Sequence, residues 1–291
     1  MRRHPFLIGI GLERVWQNSE QDFQPTRLVI LLCNKISQGV HRLTDLIAEV
    51  PSTICFMKPR EIRLPPSLWI QHQLAMPVLS RSSSLRRKIA NVAEISDFLD
   101  WQLATFGSIE SMRSKSLLWK RMSARMRATG EQWHGMEFGV AFGYTSNWWL
   151  SNHDSSAVAT WDGFDRFTGL PRSWRGLPTG TFDNGGQMPA IDDDRATWHV
   201  GDIENTIKEM SVEKISTGRR LAYFDLDLYE PSKVVWDWIY PHLRPGDILY
   251  FDEAFDADER RLLNESIIPA GTYDFIGATD MNLAIEIQSL G

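Results

Sequence analysis

The sequence of 291 residues predicts an open α/β sheet, mostly parallel, with helices on both faces, an antiparallel edge strand and an N-terminal extension. Three observations predict it. From Gly135 onward, short apolar runs alternate with stretches of helical spacing, the pattern of repeated strand–helix units. Several runs stop at Gly or an acid: Met136-Glu137-Phe138-Gly139, Tyr223-Phe224-Asp225 and Tyr250-Phe251-Asp252-Glu253. The last run alternates Asn282, Ala284 and Glu286 with Leu283, Ile285 and Ile287, which suits a half-exposed strand at an antiparallel edge.

Residues 1–100 form the extension. Within it, 28–33 reads as a buried strand, 40–50 as a helix and 52–57 as a second strand. Pro59, Pro65, Pro66 and Pro77 then interrupt the chain, and Ser80 to Ser84 reads as a linker. No chemical constellation presents itself there. Residues 101–291 form the α/β domain. A helix capped by Ser96 leads into it through Phe98, Leu99 and Leu103. A second runs from about Ser114 to Ala128, with Leu117, Leu118, Met122 and Met126 near one face. Strands are expected at 135–138, 157–164, 197–200, 220–226, 247–252 and 282–287. Helices are expected at about 144–152, 203–211, 231–241 and 257–266.

Bulk composition narrows the class. A hydrophobic content of 43% with 23% charged residues is that of a globular chain. Net charge is -6 but uneven: residues 1–130 hold 19 Lys/Arg against 10 Asp/Glu, and residues 131–291 hold 12 against 27. The basic residues are dispersed apart from Arg86-Arg87-Lys88, so the basic half reads as solvated or docked on the acidic half, and no nucleic-acid partner is expected. The two cysteines, Cys33 and Cys55, sit on apolar runs and read as buried free thiols. No apolar run reaches bilayer length. Phe6 to Leu12 after Arg2-Arg3 is short, is soon interrupted by Glu13-Arg14 and lacks a small-residue cleavage site, so a cytoplasmic location is expected.

Ligands of open α/β sheets bind beyond the carboxyl ends of the strands. Glu137-Phe138-Gly139-Val140-Ala141-Phe142-Gly143 falls where the first strand turns into a helix, and its glycines let backbone approach a ligand. The G-x-x-x-G spacing differs from the G-x-G-x-x-G of pyrophosphate sites. Glu137 beside it would repel a pyrophosphate and suits a cofactor with a cationic end, such as the ammonium of S-adenosylmethionine. The next strand ends in Asp162-Gly163-Phe164-Asp165. Asp165, one βα unit on, is placed to accept ribose hydroxyls; Asp162 competes for that role, and either acid also reads as a turn residue. Asp202, before Ile203, either reaches an adenine amino group or caps the helix beginning there. Asp225, Asp227, Asp252 and Glu253 gather carboxylates at neighbouring strand ends. Such a group protonates or takes a hard cation such as Mg²⁺, unless its members are simply solvated.

These residues resemble a known family. Glu137-Phe138-Gly139-Val140 with Gly143-Tyr144-Thr145 is similar to motif I of class I S-adenosylmethionine-dependent methyltransferases, which have a Rossmann-like fold. Gly163-Phe164-Asp165-Arg166-Phe167-Thr168-Gly169-Leu170-Pro171 resembles the GFDSFEGLP signature of the macrocin O-methyltransferase family, which methylates sugar hydroxyls. Asp225 to Ser232 resembles its D-x-D-L-Y segment. Arg244-Pro245-Gly246-Asp247 with Phe251-Asp252-Glu253 resembles its L-x-P-G-G … D-D stretch. The resemblance covers roughly residues 115–290. It implies that Glu137, Gly139, Gly143, Thr145, Asp165, Asp202 and Ile203 hold the cofactor. It also implies that Asp225, Asp252 and Glu253 hold a divalent cation. The chain departs from the family in having Glu253 for a second aspartate and Pro231-Ser232-Lys233 where Ser-Thr is usual. The Gly-rich segment 172–195 reads as a lid over the acceptor.

The reaction so implied is methyl transfer to a hydroxyl of a small-molecule acceptor. It needs alignment of nucleophile, methyl and sulfur and a base for the hydroxyl proton, for which Asp225 is first choice. The competing readings are a nicotinamide-dependent oxidoreductase and a catalytically silent binding module. A homo-oligomer is kept as an option. Tryptophans such as Trp148, Trp149, Trp174, Trp236 and Trp238 read chiefly as packing residues.

Overall fold

The computed structural model describes residues 82–210 and 218–291. The expected elements at 28–33, 40–50 and 52–57 and both cysteines lie outside them. The chain divides into two compact units, Met1–Ser96 and Asp97–Gly291; of the first, only residues 82–96 are described. They belong to helix α1, Ser83–Phe106. Ser82 opens it by accepting from the Leu85 N–H at 3.2 Å. This corrects the linker and the Ser96 cap, because the serine run is the helix start itself.

The second unit continues with α2 (Lys115–Thr129), β1 (Trp133–Phe138), α3 (Tyr144–Asn152), β2 (Val158–Asp165), β3 (Ala196–Val200) and α4 (Ile203–Glu209). Next come β4 (Arg219–Phe224), α5 (Tyr229–Ile239), β5 (Ile248–Phe251), α6 (Ala257–Leu262), β6 (Gly271–Ala278) and β7 (Leu283–Leu290). The strands form one seven-stranded sheet in the order β3-β2-β1-β4-β5-β7-β6. The first five run parallel, and β7 is antiparallel to both β5 and β6. The expected α/β sheet with an antiparallel margin is therefore present. Its edge, however, is β6 rather than β7, whose two sides are both paired.

Alternation of side chains along each strand separates two layers. On one face Trp133, Trp161, Leu221, Tyr223 and Tyr250 pack with Leu118, Trp119 and Met122 of α2 and Trp149 of α3. Buried indoles and phenols need partners for their polar atoms, and here the Trp149 Nε1–H donates to the Tyr223 hydroxyl at 2.6 Å. Tyr223→Phe strands that N–H and is expected to cost about 1–3 kcal/mol, read as a lower midpoint in urea at unchanged slope. On the other face Phe138, Phe164, Phe224 and Phe251 form a buried row, with Trp238 of α5 against Phe138 at 6.3 Å.

Candidate active site

Four adjacent strands end on that phenylalanine row. Phe164, Phe138, Phe224 and Phe251 pair in register across β2, β1, β4 and β5. Their rings lie 5.1, 5.8 and 5.0 Å apart. The residue after each phenylalanine is Asp165, Gly139, Asp225 or Asp252. Ladder bonds continue one step past the strands, from Gly139 N to Phe164 O (2.9 Å), Asp225 N to Phe138 O (2.8 Å) and Asp252 N to Phe224 O (3.0 Å). All four residues line a cavity of ≈ 560 Å³, a size suited to a small-molecule ligand. It opens where the strand order reverses between β1 and β4, the switch point at which open α/β sheets bind ligands.

The loop after β1 fits this crevice because its first residue has no side chain. Gly139 has φ +92°, and a Cβ there would lie 1.7 Å from the Asp225 carbonyl oxygen. Asp165 anchors the loop. One of its oxygens accepts from Val140 N (2.8 Å) and Ala141 N (2.7 Å), the other from Phe167 N (2.7 Å). Three of about four lone-pair positions are thus committed to backbone. Thr145 lines the cavity at the start of α3, which no side chain caps. Such a helix start suits an anionic group. Asp202 and Ile203 line the far wall. Asp202 occupies the position before α4 without capping it, and its carboxylate pairs with Arg166 Nε at 3.0 Å.

Two expected cofactor residues stand elsewhere. Gly143 is not part of the lining; it turns the chain into α3 at φ +75°, and a Cβ would meet the Pro189 ring at 2.6 Å. Glu137 lies beneath the loop, 1% exposed, because strand alternation points it into the α2–α3 layer. It accepts from Ser146 Oγ and from Trp161 Nε1 (3.1 Å). It is therefore a buried acid rather than a cavity residue. Asp162 is fully buried on the opposite layer, paired with His199 Nε2 at 2.7 Å and near His134 Nε2 at 3.2 Å. That leaves Asp165 as the strand-end acid of β2.

Burial pushes the Glu137 carboxyl up from 4.5 to about 8, although Ser146 and Trp161 favour its charged form. A folded-state value above the unfolded one means stability that is complete below pH 4.5 and lost as pH rises through about 8. The loss amounts to roughly 3–5 kcal/mol. Glu137→Gln keeps the shape and cannot ionise. Its melting temperature is expected to fall less than that of the parent between pH 5 and 8.5, by the share that Glu137 contributes. A parallel fall in both proteins would remove Glu137 as the cause.

The acids form the other wall. Ligand oxygens of Asp225, Asp227 and Glu253 all lie within 4.8 Å of one another. Asp227 adopts φ +62°, a left-handed conformation that aspartate tolerates. Burial, then Asp252 and Asp227, hold the Asp225 carboxyl well above the ordinary range, with Lys115 opposing. Asp227 is raised to about 7 by burial and by Asp252 and Asp256. Burial, then Asp252 and Asp225, raise Glu253 well above its usual value. Its Oε2 is buried without a hydrogen-bond partner. Asp252 also lines the cavity but stands outside this trio, because donors occupy its carboxylate. These are Lys115 Nζ (3.1 and 3.2 Å), Tyr250 Oη (2.8 Å) and Asn282 Nδ2 (3.2 Å). Of the acids expected to hold a cation, Asp225 and Glu253 stand in this trio beside Asp227, and the Asp252 carboxylate faces other partners.

Lys115 also lines the cavity, and no motif of the sequence points to it; Arg166 lines it too, from within the GFDRFTGLP segment. Lys115 opens α2, where a cation opposes the helix dipole; that misplaced charge is the one local sign of a distant acidic partner. Among the described residues, no tryptophan or histidine belongs to the lining, and of segment 172–195 only Phe182 does. Trp149 and Trp236 are buried packing residues. Among the described residues, no helix is long and apolar enough to cross a membrane.

No family profile matches the chain, and no curated protein matches it. Solved structures similar to it include CalS11, a calicheamicin methyltransferase, at 20% identity and TM-score 0.45, over 81% of this chain and 98% of that one. The O-methyltransferase NovP is similar at 14% identity and TM-score 0.43, over 69% and 99%. TomG from Streptomyces achromogenes, an O-methyltransferase of tomaymycin synthesis, is similar at 14% and 0.39, over 67% and 89%. All three scores fall below 0.5, so the fold is read from the strand order of the chain itself.

Proposed function

We propose that the chain is a class I S-adenosylmethionine-dependent O-methyltransferase of the macrocin type. Its acceptor would be a hydroxylated small molecule, a sugar of a secondary metabolite or glycan, and residues 101–291 would carry the activity. The observation that carries this reading is the register of Gly139, Asp165, Asp225 and Asp252 along one cavity wall, with the chain's GFDRFTGLP segment forming the adjoining loop. The strand order supports it too. A dinucleotide fold runs 3-2-1-4-5-6, whereas here antiparallel β7 intervenes between β5 and β6.

The residues suit the cofactor. The uncapped start of α3 at Thr145 is matched to an amino-acid carboxylate, and Asp202 beside Ile203 to ribose or adenine donors. The trio Asp225, Asp227 and Glu253, with its unpartnered Glu253 oxygen, is matched to a hard cation. When bound, S-adenosylmethionine supplies an electrophilic methyl group, and a divalent cation lowers the pKa of a neighbouring hydroxyl. Gly139 keeps the β1–β4 crevice open to the cofactor. Asp165 fixes the loop that defines its direction, which is the positional part of catalysis. Asp225, at the centre of the wall, takes the acceptor proton.

The test is thermal stability with S-adenosylhomocysteine, with and without Mg²⁺, against NADH. A rise with the sulfur ligand is the expected result. A rise with NADH alone would favour an oxidoreductase and overturn the reading. Ligand binding without transfer across a wide panel of glycosides would favour the silent module.

A further inference from the structure

Asp252 and Lys115 form an ion pair inside the wall that plays no part in the proposed chemistry. Asp252 is 7% exposed, and the Lys115 ammonium reaches both of its oxygens. Tyr250 Oη and Asn282 Nδ2 converge on the Oδ1 oxygen, and the same Asn282 nitrogen also bonds the Asp252 main-chain oxygen at 2.5 Å. Three side chains therefore fix this residue, which makes it one of the best-anchored of the site. Asp227 is the reverse. Among the described residues no hydrogen bond ties its carboxylate, its backbone is held left-handed at φ +62°, and its oxygen lies within 4.8 Å of oxygens of Asp225 and Glu253. Oxygens around one cation at about 2.1–2.6 Å lie at most about 4–5 Å apart, so the free trio has nearly the spacing an ion needs. The buried, unpartnered Oε2 of Glu253 is a second mark of a missing ligand.

We propose, on the metal-assisted methyltransferase reading, that Lys115 is a positioning residue which holds Asp252 out of the ion's shell, so that Asp225, Asp227 and Glu253 are the cation's protein ligands. The position of Lys115 agrees. It is the first residue of α2, a helix with no acid in its first turn, where its charge faces the unfavourable end of the dipole. Asp252, Asp225 and Glu253 across the cavity offset that placement, with the Trp119 ring 5.7 Å from the ammonium. Fixing Asp252 on a lysine limits the ion to three carboxylates. It leaves positions for water and for two acceptor hydroxyls, as suits a hard ion that keeps part of its hydration.

The experiment uses the full chain and Mn²⁺ as probe, with binding read from the free-ion electron paramagnetic resonance signal. S-adenosylhomocysteine binding, by thermal shift in the same samples, controls for folding. Asp227→Asn keeps the left-handed tolerance and is expected to weaken Mn²⁺ binding about tenfold or more. Asp252→Asn is expected to stay within about threefold of the parent. Lys115→Gln releases the Asp252 Oδ2 oxygen, while Tyr250 and Asn282 keep Oδ1, and is expected to tighten binding; in that background alone, Asp252→Asn costs about tenfold. Equal losses for Asp252→Asn and Asp227→Asn in the parent background would overturn the proposal and make Lys115 a mere occupant of the ion's place. Absence of Mn²⁺ binding with S-adenosylhomocysteine still bound would also overturn it, leaving the methyltransferase reading standing. Absence of both would remove the two together.

Discussion

Gly139→Ala is expected to abolish S-adenosylhomocysteine binding and to cost about 2–6 kcal/mol of stability, because two effects add at this position. A side chain at φ +92° is strained by about 1–3 kcal/mol. The new Cβ would also stand 1.7 Å from the Asp225 carbonyl oxygen, so β1 and β4 must move apart at their ends, an overpacking cost of about 1–3 kcal/mol. The same displacement would break the bond from Asp225 N to Phe138 O and turn the central acid away from the cavity. Gly180→Ala is the control. It has φ +81° with nothing within 4 Å of a Cβ, so backbone strain acts alone. Chemical denaturation of both variants checks the argument, and equal losses would show that the crevice has room to spare.

Asp225→Asn is expected to lower methyl transfer about 10²–10⁴-fold, the range for loss of a general base, while melting at or above the parent temperature. The two effects share one cause. Asp225 is buried beside Asp252 and Asp227, so its charge is held at the expense of the fold. An amide of the same shape removes the repulsion and the base together. The pH dependence gives the sign. Asp227 is raised from 3.8 to about 7 in the folded chain, so its contribution is complete below pH 3.8 and lost as pH rises through about 7. Asp225 is raised likewise, by burial, Asp252 and Asp227, and its amide cannot ionise, so the gap in melting temperature between variant and parent should widen from pH 6 to pH 8.5. Transfer from labelled S-adenosylmethionine to a glycoside panel, with melting curves at both pH values, reads the two arms. A variant that loses activity and stability together would point to a structural role instead.

The parallel core of the fold is legible in the sequence because β1, β2, β4 and β5 are buried apolar runs ended by Gly or Asp. The start of α1 is not. Leu85, Ile89 and Val92 do carry helical spacing, but the preceding serines look like a linker until Ser82 is seen to accept from Leu85 N–H. Strand β6 escapes because an edge strand with Gly271, Asp274 and Gly277 alternates weakly and its register slips twice against β7. Without β6, β7 reads as the margin. At the site, Gly139, Asp165, Asp225 and Asp252 announce themselves at strand ends. Glu137 misleads because a carboxylate beside a glycine loop suggests a ligand, while strand alternation aims it into the core. Lys115 is invisible for a different reason. Its partner lies 137 residues away, and no local pattern connects a helix start to the end of β5.

The phenylalanine row has a further consequence. Alignment and chemistry are written on alternate residues of the same four strands: rings on one face set the register, and the next residue on each strand faces the ligand. Gly139 apart, whose Cβ would strike the neighbouring strand, a substitution on the ligand side leaves the aligning rings in place. Acceptor preference can therefore diversify by exchange of single residues at the wall, with no repacking beneath it. A change in the row does the opposite, shifting several ligand-facing residues at once. Directed evolution of this scaffold should accordingly accumulate tolerated changes at wall positions such as Phe142 and Phe182, and few at Phe138 or Phe224.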